Sequence, residues 1–521
     1  MRGARRAGRA LAPLLVVACA ERGPADDAPL PRVDTGLAQG VPQACAAPTA
    51  LAWDESGEAW GLLAGPDPDA PHHHGGALAL ADLDSDGVLD LVTGWIQEPP
   101  RLQRGLEGGG FGPAVSLPAP ATTFLLGAAD VDSDGDVDVL AGGYRATPVV
   151  LENAGGALVP MPMGALPMAA MGVRELAPTD LNGDGTLEIY AMANTGSADP
   201  ERRRDFVLDL RDGRWEHDPR HATSTGRGFD VVPFDMDGDG DLDAYVANDD
   251  GADYGGNVLL RNDGGLLVDV SAGSGADLVH LGMGADVGDV DRDGLPDLYV
   301  TAVGHNALLR RLSDGAWVEV GRALGASPLT DPEHMGWGAV FLDADNDGRT
   351  DTLVAQGDRW YGGEDVDSDG NGASIVYATP LNLMRQGEDG RFEDVAPALG
   401  MTRLGSWRSV IAEDLNGDGV LDLLASDTVA RPALWLSRGC TDAAWVEVDA
   451  PLGARVVVEA GGVTQTAWVT AASSYGAGRP ARVHLGLGSA ARIDALAVHL
   501  PDGTTLSGEH LPARQRLVVT Q

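Results

Sequence analysis

The sequence contains no lysine. Its 521 residues hold 78 aspartates and glutamates against 36 basic residues, all of them arginine, and the formal net charge is −42 at pH 7. Without lysine the chain has neither a Schiff-base nucleophile nor the lysine of a phosphate-binding loop. So large a negative charge repels nucleic-acid phosphates, so we expect no DNA or RNA partner.

Long apolar runs are missing too, and no stretch approaches the ~18 residues that span a bilayer. The N-terminus, "MRGARRAGRALAPLLVVACAERG", places arginines before a short apolar run, which is the order of a signal peptide. Its "VVAC" ending resembles a bacterial lipobox, which would lipidate Cys19; an ordinary signal peptide with an incidental cysteine is the alternative. Residues 1–19 are therefore predicted to be a lipoprotein-type signal peptide. The protein would be exported and anchored to a bacterial membrane by lipid alone, facing the periplasm or the cell surface.

Cysteine is scarce, with three in the whole chain. Once Cys19 is set aside, Cys45 and Cys440 remain, and an exported protein can join such a pair in a disulfide. Two free buried thiols are the alternative. Residues 20–47 are rich in proline, alanine and aspartate without periodicity, which predicts a flexible linker.

What the chain has in abundance is one acidic motif, D-x-[DN]-x-D-G-x-x-[DE], in seven copies. We number these acidic loops 1 to 7; they start at Asp82, Asp130, Asp180, Asp235, Asp289, Asp343 and Asp414, with steps of 48, 50, 55, 54, 54 and 71 residues. A repeat of this length indicates a repeat architecture.

The motif has the oxygen chemistry of a calcium site. Calcium takes six to eight oxygen ligands, and positions 1, 3, 5 and 9 offer carboxylate or amide oxygens, while position 7 can offer its carbonyl. Glycine at position 6 permits a positive φ. Thiolates are missing and histidine is not placed here, so zinc and copper fit poorly. An EF-hand would close with Glu at position 12 between helices, whereas here the acid is at position 9 and strands flank it.

We therefore predict up to seven structural Ca²⁺ ions that staple the strand connections, in preference to seven solvated acidic turns. The predicted ligands are Asp82, Asp84, Asp86, Val88 and Asp90; Asp130, Asp132, Asp134, Asp136 and Asp138; Asp180, Asn182, Asp184, Thr186 and Glu188; Asp235, Asp237, Asp239, Asp241 and Asp243; Asp289, Asp291, Asp293, Leu295 and Asp297; Asp343, Asp345, Asp347, Arg349 and Asp351; Asp414, Asn416, Asp418, Val420 and Asp422. An insertion begins a similar loop at Asp365, Asp367 and Asp369, but Ala373 takes the closing position and predicts a weaker site at most.

Short alternating strand-like runs flank every acidic loop, and further runs follow in several units. Four strands per repeat, seven times, predict an all-β fold: a seven-bladed β-propeller over residues 48–438, followed by a small all-β domain over 441–521. The last unit lacks its fourth strand. A strand from residues 51–65 would complete that blade and close the ring, bringing Cys45 and Cys440 to one seam.

The loops and flanks, such as "GMGADVGDVDRDGLPDLYVT", resemble the FG-GAP/VCBS repeats of integrin-α-like propellers and of the cartilage acidic protein family. The tail, with "GARV" and "HLGLG", is similar to an ASPIC/UnbV domain, although residues 499–503 read HLPDG without that family's tryptophan. The resemblance implies an exported calcium-binding propeller used in adhesion or recognition, without assigned chemistry.

Two function classes remain at this stage. The first is a surface protein that binds protein or glycan; the second is an enzyme or cofactor protein with its site at the propeller channel. No catalytic motif is present, which favours the first. The weaker candidates for chemistry are His72–His74, the His217/His221 pair, His484, and the inner-strand residues Trp337 and Trp407, all of which we expect to be packing or loop residues.

Overall fold

The structure is a computed structural model that describes residues 32–65, 75–96, 98–143, 146–167, 170, 172–194, 197–221, 223–249, 251–328, 334–358, 378–428, 430–471 and 474–520. Cys19, the three consecutive histidines at 72–74 and the insertion at 365–373 lie outside these residues. Beyond strands, the described chain contains a 3-10 turn (Pro200–Arg202) and two four-residue helices, α1 (Gly251–Tyr254) and α2 (Gly321–Leu324). No helix in this part of the protein is long and apolar enough to cross a membrane.

Three short strands precede the propeller: β1 (Arg32–Val33), β2 (Leu37–Gln39) and β3 (Trp53–Glu55). Blades 1 to 6 are antiparallel sheets of four consecutive strands. They contain β4 (Gly75–Ala81), β5 (Asp90–Trp95), β6 (Arg101–Gln103) and β7 (Val115–Ser116); β8 (Thr123–Ala129), β9 (Asp138–Gly143), β10 (Val149–Asn153) and β11 (Leu158–Pro160); β12 (Val173–Thr179), β13 (Glu188–Ala193), β14 (Phe206–Arg211) and β15 (Arg214–Asp218); β16 (Arg227–Phe234), β17 (Asp243–Asp249), β18 (Val258–Asn262) and β19 (Leu267–Asp269); β20 (Gly282–Gly288), β21 (Asp297–Ala302), β22 (Ala307–Arg311) and β23 (Trp317–Glu319); β24 (His334–Leu342), β25 (Asp351–Asp358), β26 (Asn382–Gln386) and β27 (Phe392–Asp394).

Blade 7 closes the ring with a strand from the other end of the chain. It contains β28 (Trp407–Glu413), β29 (Asp422–Asp427), β30 (Ala433–Ser437) and, antiparallel to β30, the N-terminal strand β3. Trp53 of β3 is buried, and its Nε1 donates to the carbonyl of Leu421 at 2.9 Å. A disulfide joins Cys45 to Cys440, with Cα atoms 5.7 Å apart, so this seam has both the lent strand and the cross-link that the sequence predicts.

The first strand of each blade is an inner strand that lines the channel. Consecutive inner strands contact each other around the ring, and β28 contacts β4, so the propeller is closed. Each acidic loop connects an inner strand to the second strand, which begins at the closing acid of the motif. Residues on both faces of these strands are buried between blades, which explains their runs of valine, leucine and alanine.

The C-terminal domain consists of two packed sheets. Its strands are β31 (Ala444–Asp449), β32 (Arg455–Ala460), β33 (Val463–Trp468), β34 (Ala477–Gly478), β35 (Arg482–Gly488), β36 (Arg492–His499), β37 (Thr505–Pro512) and β38 (Gln515–Val519). One sheet has the order β1-β37-β36-β32-β33 and the other β2-β38-β31-β35, and they share an apolar core that includes Val446, Val458 and Leu517.

The predicted flexible linker at 20–47 is wrong for its middle part, because β1 and β2 form the edge strands of these two sheets. Leu37 enters the shared core with 3% of its surface exposed. Asp34 accepts hydrogen bonds from the backbone and the hydroxyl of Ser507, at 2.6 and 2.9 Å. The segment thus covers two open sheet edges. Composition concealed it, since one buried leucine between prolines carries no alternating pattern.

The C-terminal domain also fills the propeller channel. Residues 474–479, which we call the channel segment, include β34, and β34 pairs in parallel with β4 of blade 1. The Tyr475 ring lies 5.0 Å from that of Trp337 in blade 6 and 6.0 Å from that of Phe229 in blade 4. The Tyr475 carbonyl accepts the Ser409 hydroxyl of blade 7 at 2.6 Å.

The channel segment reaches the remaining blades as well. Its β34 contacts β8 of blade 2. The Gly476 N–H donates to Glu175 of blade 3 at 3.3 Å, and Arg479 lies 3.6 Å from Asp286 of blade 5. Inner strands from all seven blades therefore meet one segment of the C-terminal domain, and the two domains are built around each other.

Candidate metal centres

The seven acidic loops share one network of backbone hydrogen bonds. The carboxylate at position 1 accepts the N–H of the position 6 glycine at 2.7–3.3 Å. The carboxylate at position 5 accepts the N–H of position 7 at 2.8–3.0 Å. These bonds curl the loop around its own acids and turn several carboxylate oxygens inward.

Two positions in each loop have a left-handed backbone. Glycine at position 6 has φ between 83° and 95° in all seven loops, which is the conformation predicted for it. Position 4 is left-handed as well, with φ between 58° and 83°. Three loops place glycine at position 4; the others place Ser85, Ser133, Arg292 and Asn346 there. The motif leaves position 4 unspecified, so the need for a left-handed backbone there could not be predicted from it.

Five loops bring three carboxylates together. In loops 1, 4 and 6 these are the acids at positions 1, 3 and 5, and in loops 2 and 5 they are those at positions 1, 3 and 9. Within each group the nearest oxygens lie within 4.8 Å of one another. Three convergent hard oxygens match the kind of donor that calcium prefers, so these residues fit the ion.

Loops 3 and 7 differ, because position 3 is asparagine. The Asn182 amide donates to Glu188, and the Asn416 amide donates to Asp422 at 3.3 Å. Among the described residues neither loop forms a group of three acids. Each asparagine Oδ1 accepts the N–H of position 5, at 2.9 and 3.0 Å. These two loops have fewer carboxylates for an ion and satisfy more of their own polar groups.

The closing acids have a role that the motif did not predict. Each accepts the N–H of position 2 at 2.7–3.1 Å. Six of them also accept an N–H at or next to the third strand of the blade, at 2.6–2.9 Å. The acid at position 9 therefore holds the loop, the second strand and the third strand together, in addition to any contact with an ion.

Three side-chain amides, which were not predicted from the sequence, link acidic loops 1, 3 and 5 to the next blade. The side-chain amide of Asn153 in blade 2 donates to the Leu83 carbonyl of loop 1 at 2.9 Å. Asn262 and Gln386 make the same contact to the preceding loops, at 2.8 and 3.0 Å. The signal was visible as an Asn or Gln at the end of the third strand.

Burial raises the pKa of the seven closing acids, and in loops 2 to 7 neighbouring carboxylates add to the effect. The pKa of the closing acids Asp138, Glu188, Asp243, Asp297 and Asp422 is raised to about 7. Burial is the largest cause of this rise. The backbone N–H bonds stabilise the charged form and lower the pKa, which offsets part of the rise. Carboxyl groups that resist ionisation side by side are stabilised as carboxylates by a divalent cation.

Arginines contact ligand carboxylates in loops 1, 5 and 6. Arg104 lies 2.6 Å from Asp90 and 3.8 Å from Asp84 in loop 1. Arg310 contacts Asp291 in loop 5, and Arg349 contacts Asp347 in loop 6. These cations offset part of the repulsion between carboxylates, so the ion has less charge to neutralise there.

Among the other candidates for chemistry, Trp337, Trp407 and His217 are packing residues. Trp337 and Trp407 are 3% and 0% exposed, and the Nε1 of Trp407 donates to the Thr379 carbonyl at 2.7 Å. His217 packs edge-on against Phe206, and it joins no metal-binding group among the described residues. A cavity of ≈ 90 Å³ lies between the domains beside Asp286 and Trp468, well below the ~300–1,000 Å³ of typical ligand pockets.

Family models agree with this architecture. The FG-GAP-like repeat model matches residues 102–191, 235–300, 289–354 and 365–425, and the ASPIC and UnbV model matches residues 449–521. The chain belongs to the FG-GAP-like repeat family. Its ASPIC/UnbV domain is the two-sheet domain that fills the channel, and the FG-GAP and UnbV families are generally without enzymatic activity.

Similar curated proteins include cartilage acidic protein 1 of mouse and of human. Each is 26% identical, over 270 and 271 residues, which is 48% of this chain and 38% of the relative. The match therefore spans about two fifths of their length. Two solved structures are similar to the chain at lower sequence identity. An Agrocybe aegerita lectin that recognises non-reducing terminal N-acetylglucosamine has a TM-score of 0.38 at 15% identity, over 62% of this chain and 79% of its own. The structure of BBS1N in complex with ARL6DN has a TM-score of 0.42 at 10% sequence identity, over 74% of this chain and 97% of its own.

Proposed function

We propose that this protein is an exported, calcium-binding β-propeller that recognises a protein or glycan at the cell surface. A lipid on Cys19 would hold it to the membrane. The observation that carries the calcium part is the repetition of one donor set: five loops with three carboxylate oxygens within 4.8 Å, each at the same place in its blade. With loops 3 and 7, up to seven ions can bind.

The ions would have a structural role. Each loop joins the inner strand of a blade to its second strand, and the closing acid already ties these strands to the third. An ion at the centre of the loop replaces repulsion between its acids by attraction to a common cation. Calcium would thereby stabilise the same connection in every blade, leaving the outer surfaces as rigid recognition faces.

Occupation of the channel favours recognition over catalysis. The inner-wall acids Glu175 and Asp286 are at most 1% exposed, and the channel segment contacts both of them. A substrate would have to displace that segment to reach them. The ≈ 90 Å³ interdomain cavity holds a few waters and no metabolite of ordinary size. We therefore expect the partner to bind the outside of the propeller.

Isothermal titration of the chelated protein with Ca²⁺ tests the metal part, and we expect at least five ions per chain. Protein and glycan arrays probed with and without Ca²⁺ test recognition. If a calcium-stabilised surface binds the partner, chelator should abolish that binding. Membrane fractionation of the wild type and of Cys19→Ser tests the anchor, because the variant should be recovered in the soluble fraction. A protein that binds no calcium would refute the proposal.

A further inference from the structure

Acidic loop 6 is covered by the C-terminal domain, whereas loops 1 to 5 have exposed tips. No residue from 343 to 351 is exposed, whereas the tips of loops 1 to 4 are exposed at 84–87, 133–135, 182–186 and 237–239. The cover is β35 of the C-terminal domain, which contains the "HLGLG" segment. A motif placed in the C-terminal domain thus meets a motif placed in the propeller.

Asn346, at position 4 of loop 6, joins three parts of the protein. Its Nδ2 donates to the Gly419 carbonyl of loop 7 at 2.7 Å, so its Oδ1 is the acceptor for the Nε2–H of His484, also at 2.7 Å. Its backbone carbonyl accepts the N–H of Gly488 at 2.8 Å. Asn346 lies between two predicted ligands of loop 6, so a shift of those ligands moves the residue on which β35 rests.

The backbone of β35 also lies directly against a predicted ligand. A Cβ atom at Gly486 would be 2.1 Å from Oδ2 of Asp343, and the Gly486 carbonyl accepts the Gln465 amide at 2.7 Å. The Trp445 ring stacks on His484, with centroids 5.7 Å apart, and covers Gly419 of loop 7. Only glycine permits this approach at position 486, so the fit depends on where the Asp343 carboxylate is held.

We propose that ion binding in loop 6 and docking of the C-terminal domain are coupled. The ion holds Asp343, Asp345 and Asp347 in the arrangement on which β35 docks. The docked domain, through the positioning residue His484, keeps the loop in that arrangement. By reciprocity, docking raises the calcium affinity of loop 6 by the factor by which the ion strengthens docking. The inference rests on the calcium binding proposed above.

Removing one ligand from each kind of loop tests the coupling. Asp347→Asn in loop 6 and Asp134→Asn in loop 2 change the same position 5 acid with no change in side-chain size. We expect each variant to bind one Ca²⁺ fewer than the wild type in calorimetric titration. In hydrogen exchange with Ca²⁺ present, residues 482–488 should exchange about tenfold faster in Asp347→Asn and at the wild-type rate in Asp134→Asn.

The two ways of failing are separate. If the wild type binds no Ca²⁺, the proposed function fails. If both variants lose one ion while residues 482–488 stay protected in Asp347→Asn, calcium binding stands and the coupling is wrong. Equal loss of protection in both variants would also overturn the coupling, since docking would then depend on the ring as a whole.

The reverse direction uses position 4, which is not a ligand. Asn346→Gly keeps the left-handed backbone and removes the bridging amide, and Ser133→Gly is the same change in exposed loop 2. Asn346→Gly should weaken one calcium site about tenfold, while Ser133→Gly leaves all sites unchanged. His484→Ala should act like Asn346→Gly, and His484→Gln should restore most of the affinity through its amide N–H. Wild-type affinities in Asn346→Gly would refute the coupling.

Discussion

Acidic loops 2 and 6 have the same motif and the same backbone, yet one faces solvent and the other lies between two domains. Position 4 has φ of 61° in loop 2 and 59° in loop 6. At position 6 a Cβ on Gly135 would meet nothing within 4 Å, whereas one on Gly348 would meet Gln465 and Gly486 at 3.5 Å. The motif thus determines the local conformation, and the place of the blade in the ring determines what the loop does for the rest of the protein.

Removing calcium should have the largest effect, because it changes both kinds of loop at once. An ion that binds only the native state stabilises it by about 2.7 kcal/mol per site at a hundredfold excess over Kd. We expect chelation to lower the melting temperature by well over ten degrees, measured by calorimetry. Exchange should rise first in loops 1 to 4 as calcium is withdrawn and last in loop 6.

Magnesium is the control for this experiment. It demands a tighter octahedron of oxygens and gives up its waters reluctantly, so it should restore little of the lost stability. A melting temperature that does not change with chelator would show that hydrogen bonds alone hold the loops. Full recovery of the melting temperature with magnesium would show that the loops bind divalent cations by charge, without regard to the size of the ion.

Truncating the Tyr475 side chain in the channel segment should give the next largest loss of stability. Tyr475 is 6% exposed and packs between Trp337 and Phe229, so Tyr475→Ala removes a ring from the centre of the propeller. Comparable truncations of buried aromatic residues cost about 3–5 kcal/mol. Thermal and urea denaturation should show this loss, with faster exchange in the inner strands. Tyr475→Phe keeps the ring and should cost much less; equal losses would place the effect in the hydroxyl.

The pH dependence should separate the chelated protein from the calcium-bound one. The closing acids Asp138, Asp243 and Asp297 have a folded pKa raised to about 7, against about 3.8 when unfolded. Between these values the folded protein binds more protons than the unfolded one, so its stability falls as the pH rises. In chelator the melting temperature should drop by several degrees from pH 5 to pH 8. With calcium bound, which requires the ionised form, it should not.

The propeller ring could be predicted from the sequence because each repeat contains the local patterns of its own strands and strand connection. The motif predicted the strand connection, the glycine at position 6 and the blade count, and the missing fourth strand predicted that residues near Trp53 complete blade 7. The FG-GAP-like repeats and the strand order confirm this fold. Local patterns sufficed wherever the partners were a few residues apart or repeated at a constant spacing.

Contacts between domains could not be predicted in the same way. Leu37 and Tyr475 each act through partners hundreds of residues away, in segments with no periodicity. His484 looked like an ordinary packing residue in an alternating strand, since nothing near it in the sequence points to Asn346. Such contacts depend on how the surfaces of two folded domains fit together, and no local sequence pattern indicates that fit.

The smallest expected effect tests whether loops 2 and 6 differ only in their surroundings. Gly135→Ala and Gly348→Ala each force a side chain into a left-handed backbone, at φ of 95° and 86°, which costs about 1–2 kcal/mol. The 3.5 Å neighbours of Gly348 are at ordinary contact distance, so cover by the C-terminal domain adds little. In chelator both variants should therefore lose the same stability by urea denaturation. A clearly larger loss for Gly348→Ala would mean that the domain interface tolerates less than its contact distances indicate.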